Sequence, residues 1–150
     1  AKWYPSSVNT VRFTSILSKS GFHGLTPFFR TGRVGKIVDN AGSGGILVDV
    51  DLETGQIYTD GIDENCNVYT CHPDTGIVFK GARIPHWDLL LKTVKEAHET
   101  VASNHKYIGW DLALSKGKWI IVEGNWGQFV NQYADKKGRK QEFLQYIKDN

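Results

Sequence analysis

The chain has 150 residues, 40% of them hydrophobic and 23% charged, and its 18 basic side chains nearly cancel 16 acidic ones to leave a formal charge of +2. That balance excludes a disordered chain, and it excludes nucleic acid as the main ligand because no broad basic face is implied. One domain accounts for the length, since folding at this size buries roughly 68 to 70% of the unfolded surface and so makes a single core.

In chain order, Asn9 to Leu17 alternates, with Val11, Phe13 and Leu17 on one side and Arg12 and Thr14 on the other. Leu25 to Thr31 behaves similarly, so the two segments predict a hairpin turning within Lys19 to Gly24. With Gly21 at its midpoint, Phe13 faces Phe29, Leu17 faces Leu25, and Arg12 lies opposite Arg30 on the other face. A glycine-rich link follows, Asp39 to Gly45, and then a second hairpin with strands Ile46 to Val50 and Gln56 to Thr59 around Glu53-Thr54-Gly55. Between Gly61 and Ile84 the pattern weakens into loops with short extended pieces, among them the turn His72-Pro73-Asp74-Thr75-Gly76.

Pro85 suits the first turn of a helix, and Trp87, Leu90, Val94, Ala97 and Val101 recur at three- and four-residue steps, predicting an amphipathic helix of about 17 residues. Strands follow at Tyr107 to Leu114 and Trp119 to Glu123, joined by a turn at Lys116-Gly117-Lys118, and a last helix is expected from Arg139 to Lys148 with Phe143, Leu144 and Ile147 inward. The pattern predicts an α+β fold, an antiparallel sheet packed with one long and one shorter helix.

The chemistry concentrates in the hairpin that turns at Gly117. With that residue at the midpoint, Asp111 falls opposite Glu123, and two negative charges about 4 Å apart repel by roughly 4 kcal/mol at an effective dielectric of 20. Asn125, two positions on, adds a carboxamide oxygen to the same face. Three hard oxygen donors too few to enclose an ion match a magnesium ion that keeps waters and takes phosphate oxygens from a substrate. A register slipped by one residue would instead put Asp111 and Glu123 on opposite faces, as ordinary solvated charges. Arg12 and Arg30 have two readings as well: a pair whose repulsion an anion such as a phosphate or acyl phosphate relieves, or two exposed arginines on an edge strand.

Weaker signals surround these. The link from Asn40 to Gly45 could cradle phosphate with backbone amides but lacks the Gly-Lys-Ser/Thr ending of a P-loop. Lys136, Lys137, Arg139 and Lys140 read as a solvated loop before a helix, and Trp110 and Trp126 as core or rim aromatics. Cys66 and Cys71 are too few for a disulfide framework, and with His72 they lack a fourth ligand at zinc-site spacing. No run approaches the ~18 apolar residues needed to cross a bilayer, and no charged-then-apolar leader opens the sequence, so no membrane span and a cytoplasmic location are expected. A chain that begins at Ala1 and contains no methionine is expected to be a piece of a longer protein.

The ordered set Val11-Arg12-Phe13, Phe29-Arg30, Asn40 with Gly44-Gly45, Ile108-Gly109-Trp110-Asp111-Leu112 and Val122-Glu123-Gly124-Asn125 resembles the C-terminal half of ATP-grasp ligases. It is most similar to the sugar-transfer-associated group, through Asn9-Thr10-Val11-Arg12, Val50 to Gly55, His72 to Gly76, Ile84-Pro85-His86-Trp87 and Ile108 to Asp111. The resemblance implies ATP and Mg2+ as cofactors, with Asp111, Glu123 and Asn125 holding one or two metal ions between ATP phosphates. It also implies that Arg12 and Arg30 steady the transferred phosphate and an acyl-phosphate intermediate, and that Asn40 contacts nucleotide or phosphate.

The implied reaction joins a small-molecule carboxylate to an amine or sugar-linked acceptor, in polysaccharide or cell-surface sugar metabolism. The segments that hold adenine and the phosphate-contacting lysines precede Arg12 in that family, so the N-terminal part of a parent chain is an expected partner and little turnover is expected without it. Trp126-Gly127 stands where the family has proline-glycine. The alternative reading is a non-catalytic module that binds carbohydrate or a partner on the same face.

Overall fold

Among the described residues, eight strands form one antiparallel sheet: β1 (Thr10–Ser18), β2 (Gly21–Gly24), β3 (Phe28–Thr31), β4 (Ile46–Asp49), β5 (Gly61–Ile62), β6 (Val68–Tyr69), β7 (Tyr107–Ser115) and β8 (Lys118–Asn125). Two helices among those residues complete the α+β fold, α1 (Trp87–Thr100) and α2 (Lys140–Ile147). The computed structural model describes Trp3 and residues 7–35, 44–126 and 133–148. The strands run in the order β6-β5-β4-β3-β1-β7-β8, and β2 pairs with the second half of β1.

β1 therefore has two partners on one side where the alternation predicted one. A two-residue turn at Lys19-Ser20 sets Ser18 opposite Gly21, and the chain then leaves the ladder before β3 returns to the first half of β1. Val11, not Phe13, faces Phe29, Leu17 faces Phe22, and Arg12 faces Phe28 while Arg30 faces Thr10. The expected Arg12–Arg30 pairing is thus corrected to a diagonal. The error is an even shift of two residues, so both arginines still share a face, because side chains alternate with period two.

The second hairpin is reduced to isolated bridges. Val50 bridges Ile57 and Gln56 bridges Arg83, so the expected strand Gln56 to Thr59 does not form. Its turn does form: Gly55 adopts φ +69 and packs against Trp87, where a Cβ would lie 2.5 Å from the indole. The turn and the long helix are fitted to each other.

One face of the sheet carries the main core, with Val11, Phe13, Phe29, Ile46, Val48, Ile108, Trp110 and Leu112 packed under Trp87, Leu90 and Val94 of α1. The helix starts at Trp87, after His86 in a left-handed conformation, and Trp119 Nε1 donates to the His86 carbonyl at 3.0 Å. Val101, expected on the apolar stripe, lies past the helix and is exposed. His98 takes its place, fully buried, because the next inward position at helical spacing from Val94 falls there. His98 Nε2 meets the His105 carbonyl at 2.8 Å, which can only accept, so Nδ1 is the acceptor for the Ser15 hydroxyl at 2.7 Å. Trp110 Nε1 in turn donates to Ser15 Oγ at 2.7 Å. Every polar atom of this buried chain is satisfied, as burial demands.

The other face is covered at one end by the C-terminal segment. Phe28, Leu47, Ile62 and Tyr133 form a second, smaller core. Helix α2 is half-buried rather than deeply packed, held by Tyr107 against Phe143, His23 stacked on Tyr146, and Glu142 accepting from the Thr26 amide at 2.6 Å.

Burial is the main cause that holds His98 below its ordinary value of 6.5; the His105 hydrogen bond and Glu99 oppose it, and His105 adds a little to it. The folded state therefore binds a proton less readily than the unfolded chain, and stability present above pH 6.5 is lost as pH falls below it. Urea unfolding followed from pH 7.5 to 5 should show this decline, and truncating a fully buried core residue of the same helix in Leu90→Ala should cost roughly 2 to 5 kcal/mol at either pH.

Candidate functional site

A single transverse row crosses five strands on the face opposite α1: Asp49, Phe28, Arg12, Asp111 and Glu123, each directly paired with the next. Arg30 stands in the adjoining row beside Thr10, and Asn125 in the row on the other side, opposite Gly109. Strand pairing alone thus gathers Arg12, Arg30, Asp111, Glu123 and Asn125 onto one surface.

The opposition of Asp111 and Glu123 depends on a bulge. The hairpin turns at Lys116 and Gly117, both with positive φ (49 and 78), and sets Ser115 opposite Lys118. Such two-residue turns need positive φ at both positions, which glycine adopts without strain. Continued without interruption, that register would put Val122 opposite Asp111 and turn Glu123 to the core face. The ladder shifts by one between Asp111 and Leu112, Val122 is the extra residue, and Glu123 faces Asp111. The sequence expectation reaches the right pair by placing the turn half a residue late and omitting the bulge, two errors that cancel.

Asp111 is buried, and its carboxylate is gripped from two strands. Arg12 presents Nε to Oδ1 and Nη2 to Oδ2, the latter at 2.6 Å, and Arg30 Nη2 reaches Oδ1 at 3.0 Å. Arg30 is steadied by Thr10, whose hydroxyl accepts from Nε at 3.0 Å and Nη2 at 2.9 Å. Burial pushes the Asp111 carboxyl up, but the Arg12 hydrogen bonds, the charges of Arg30 and Arg12 and contact with Glu123 outweigh it and hold the group below its ordinary value. Asp111 is therefore an anion at neutral pH. The repulsion between Arg12 and Arg30 is relieved by this carboxylate, a partner supplied by the chain itself.

Glu123 is exposed, Asn125 half-buried, and Asn125 Nδ2 donates to Glu123 Oε1 at 2.9 Å. That bond orients the carboxamide with its nitrogen toward Glu123 and leaves its oxygen as an acceptor. The charges of Arg12, Arg30, Asp111 and Glu123 sum to zero. A divalent cation added alone would leave the cluster positive, whereas a cation together with a polyanionic phosphate would be balanced. The donor set fits magnesium on this ground: oxygens only, one carboxylate exposed, and one acceptor position left on Asp111 Oδ2 beyond the arginine bonds. Among the described residues no three histidine, cysteine, aspartate or glutamate side chains group closely enough to hold a metal ion.

Asn40 and most of the glycine-rich link lie outside the described residues. The loop after it is better defined than its sequence suggested. His72, fully buried, meets the Gly32 carbonyl through Nε2 at 2.9 Å, and Asp74 accepts from Arg33 Nε and the Val34 amide, both at 3.0 Å. The His72-to-Gly76 turn thus anchors the chain just after β3.

Asp49 is the residue of this row that sequence reasoning missed. It is fully buried at the end of the site row and accepts the amides of Ala134 and Asp135 at 2.9 Å each. Burial raises its carboxyl above the ordinary value, against the pull of those two amides and of Arg139. Arg139, expected in a solvated run, is largely buried instead, paired with Asp135 at 2.8 Å and lying 4.1 Å over the Tyr133 ring. An acid closing the apolar run Ile46-Leu47-Val48 was the available signal. Trp110 is in the core and Trp126 on the rim, exposed and against His105.

The family described as sugar-transfer associated ATP-grasp matches residues 1–148, and the chain belongs to it. Comparison with curated proteins gives no match, and comparison with solved structures gives none. Membership carries ATP binding and ligase-like, ATP-dependent chemistry in a sugar-related context.

Removing Arg12 takes away two of the three guanidinium bonds to the buried Asp111 carboxylate and leaves it only the single nitrogen of Arg30. Arg12→Leu should lower the free energy of unfolding by roughly 3 to 5 kcal/mol, whereas Lys80→Ala, which breaks the exposed Lys80–Asp60 pair, should change it by less than about 1 kcal/mol. Urea denaturation of both variants measures the contrast.

Proposed function

We propose that this chain is the catalytic, metal- and phosphate-binding part of an ATP- and magnesium-dependent ligase that joins a small-molecule carboxylate to an amine or sugar-linked nucleophile. The observation that carries this reading is the row Arg12–Asp111–Glu123 with Arg30 and Asn125 beside it: fixed positive charge next to exposed oxygen donors, on one face. Transfer of the ATP γ-phosphoryl group to the carboxylate gives an acyl phosphate and ADP. The nucleophile then attacks the acyl carbon, forms the new bond, and phosphate leaves.

Little of this asks for covalent participation by the protein. Phosphoryl transfer is mostly positioning and charge neutralisation. In the proposal, Arg30 is the guanidinium that reaches the phosphate, because its side chain touches Asp111 through one nitrogen and is held in place by Thr10. Arg12 is the positioning partner, with two of its nitrogens committed to Asp111. Glu123, Asn125 and Asp111 would hold magnesium, which would supply positive charge to offset that of the phosphates. Asp49 and the segment it grips keep one end of the face dry through the Tyr133 cluster.

Glu123→Gln tests the assignment with least risk to the fold, because Glu123 is exposed and outside the Arg12 ion pair. In the intact protein with ATP and magnesium, phosphate release should fall by at least about 100-fold, the scale of losing one electrostatic contact to the reacting group, with the urea midpoint unchanged. Equal release from the variant and the wild type would remove Glu123 from the site.

A further inference from the structure

A cavity of about 640 Å³ opens at the end of the sheet where β1 begins and β7 ends. That volume lies within the roughly 300 to 1,000 Å³ typical of small-molecule sites. It is separate from the Arg12–Asp111 row. Phe29, Leu114 and Trp119 line it from the core side of the sheet, while Arg12 and Asp111 point to the opposite side.

Its walls are apolar and set in place before any ligand arrives. Trp3 stacks on Phe79 at 5.4 Å between ring centroids, with the planes 7° apart, and Trp119 is fixed by its indole bond to the His86 carbonyl. Rigid aromatic walls bind flat apolar groups at little entropic cost, because few rotamers are lost.

Its polar groups have a definite sign. Arg83 lines the cavity, is exposed, and forms no ion pair with a described residue. None of the described residues lining the cavity is acidic. Ser7 Oγ, also in the lining, is buried and has no hydrogen-bond partner. A buried hydroxyl left unpaired is unfavourable unless another group supplies the bond. A free guanidinium and an unsatisfied hydroxyl around an apolar slot are complementary to an anion carried on a flat apolar body.

The geometry points to a second binding site, between Trp3, Trp119 and Arg83, for a planar apolar molecule bearing one anionic group, of the aryl carboxylate or aryl sulfonate class. This goes beyond the ligase reading and requires nothing from Asp111 or Glu123.

The test uses two fluorescent probes of similar shape and different charge, anionic 8-anilinonaphthalene-1-sulfonate and neutral N-phenyl-1-naphthylamine, titrated into the intact protein. One saturable site for the anionic probe is expected, with energy transfer from tryptophan and no displacement by ATP. Arg83→Gln should weaken the anionic probe by about tenfold or more, the scale of a charge-assisted hydrogen bond, and leave the neutral probe unchanged. Val8→Trp and Ser115→Phe, both at exposed rim positions, should block both probes with urea midpoints unchanged. The proposal is overturned if the wild type binds neither probe, if Arg83→Gln binds the anionic one as tightly as the wild type, or if both filled variants still bind.

Discussion

Asp111 keeps a negative charge where solvent barely reaches, and it does so because guanidiniums from β1 and β3 converge on its two oxygens. A buried carboxylate without partners would cost several kcal/mol and would take up a proton instead. The arginines need the carboxylate as much, since side by side without it they would repel. This three-way exchange fixes the relative register of three neighbouring strands. A one-residue slip of β7 would carry Asp111 to the core face and strand two positive charges.

The same exchange divides the face into two kinds of chemistry. Toward β3 and β4 the surface is closed, with Asp49 holding the Ala134 and Asp135 amides and Tyr133 packed on Phe28. Toward β8 it is open, with Glu123 and Asn125 presenting oxygens to solvent. A charge-neutral cluster open on its oxygen-rich side favours cation and phosphate arriving together over either alone. That preference suits the ATP-dependent chemistry of the family to which the chain belongs.

The sequence was legible wherever parity decided the outcome. The strands of the last hairpin and the arginine-bearing strands were placed on the right faces, because alternation survives a shift of two residues. What failed was whatever depended on counting. The expected single hairpin around Gly21 gave way to a tight turn and a second strand, because the alternation reads straight through Pro27, which has no N–H to give a ladder and stands in the gap between β2 and β3. The bulge at Val122 was invisible because an inserted residue on an edge strand has no composition of its own. His98 and Asp49 were missed because buried polar residues are recognised by their partners, and His105, Ser15, Ala134 and Asp135 lie far away in the chain or on other elements.

The central claim is that a divalent cation and ATP meet at the open end of the Asp111 row. Substituting Mn2+ for magnesium in the intact protein with ATP, and following amide signals by NMR, tests it most directly, since paramagnetic broadening falls steeply with distance from the ion. The account predicts that Gly109, Gly124 and Asn125 broaden first, that α1 beneath the opposite face is spared, and that Glu123→Gln abolishes the effect. Broadening centred anywhere else, or persisting undiminished in that variant, would contradict it.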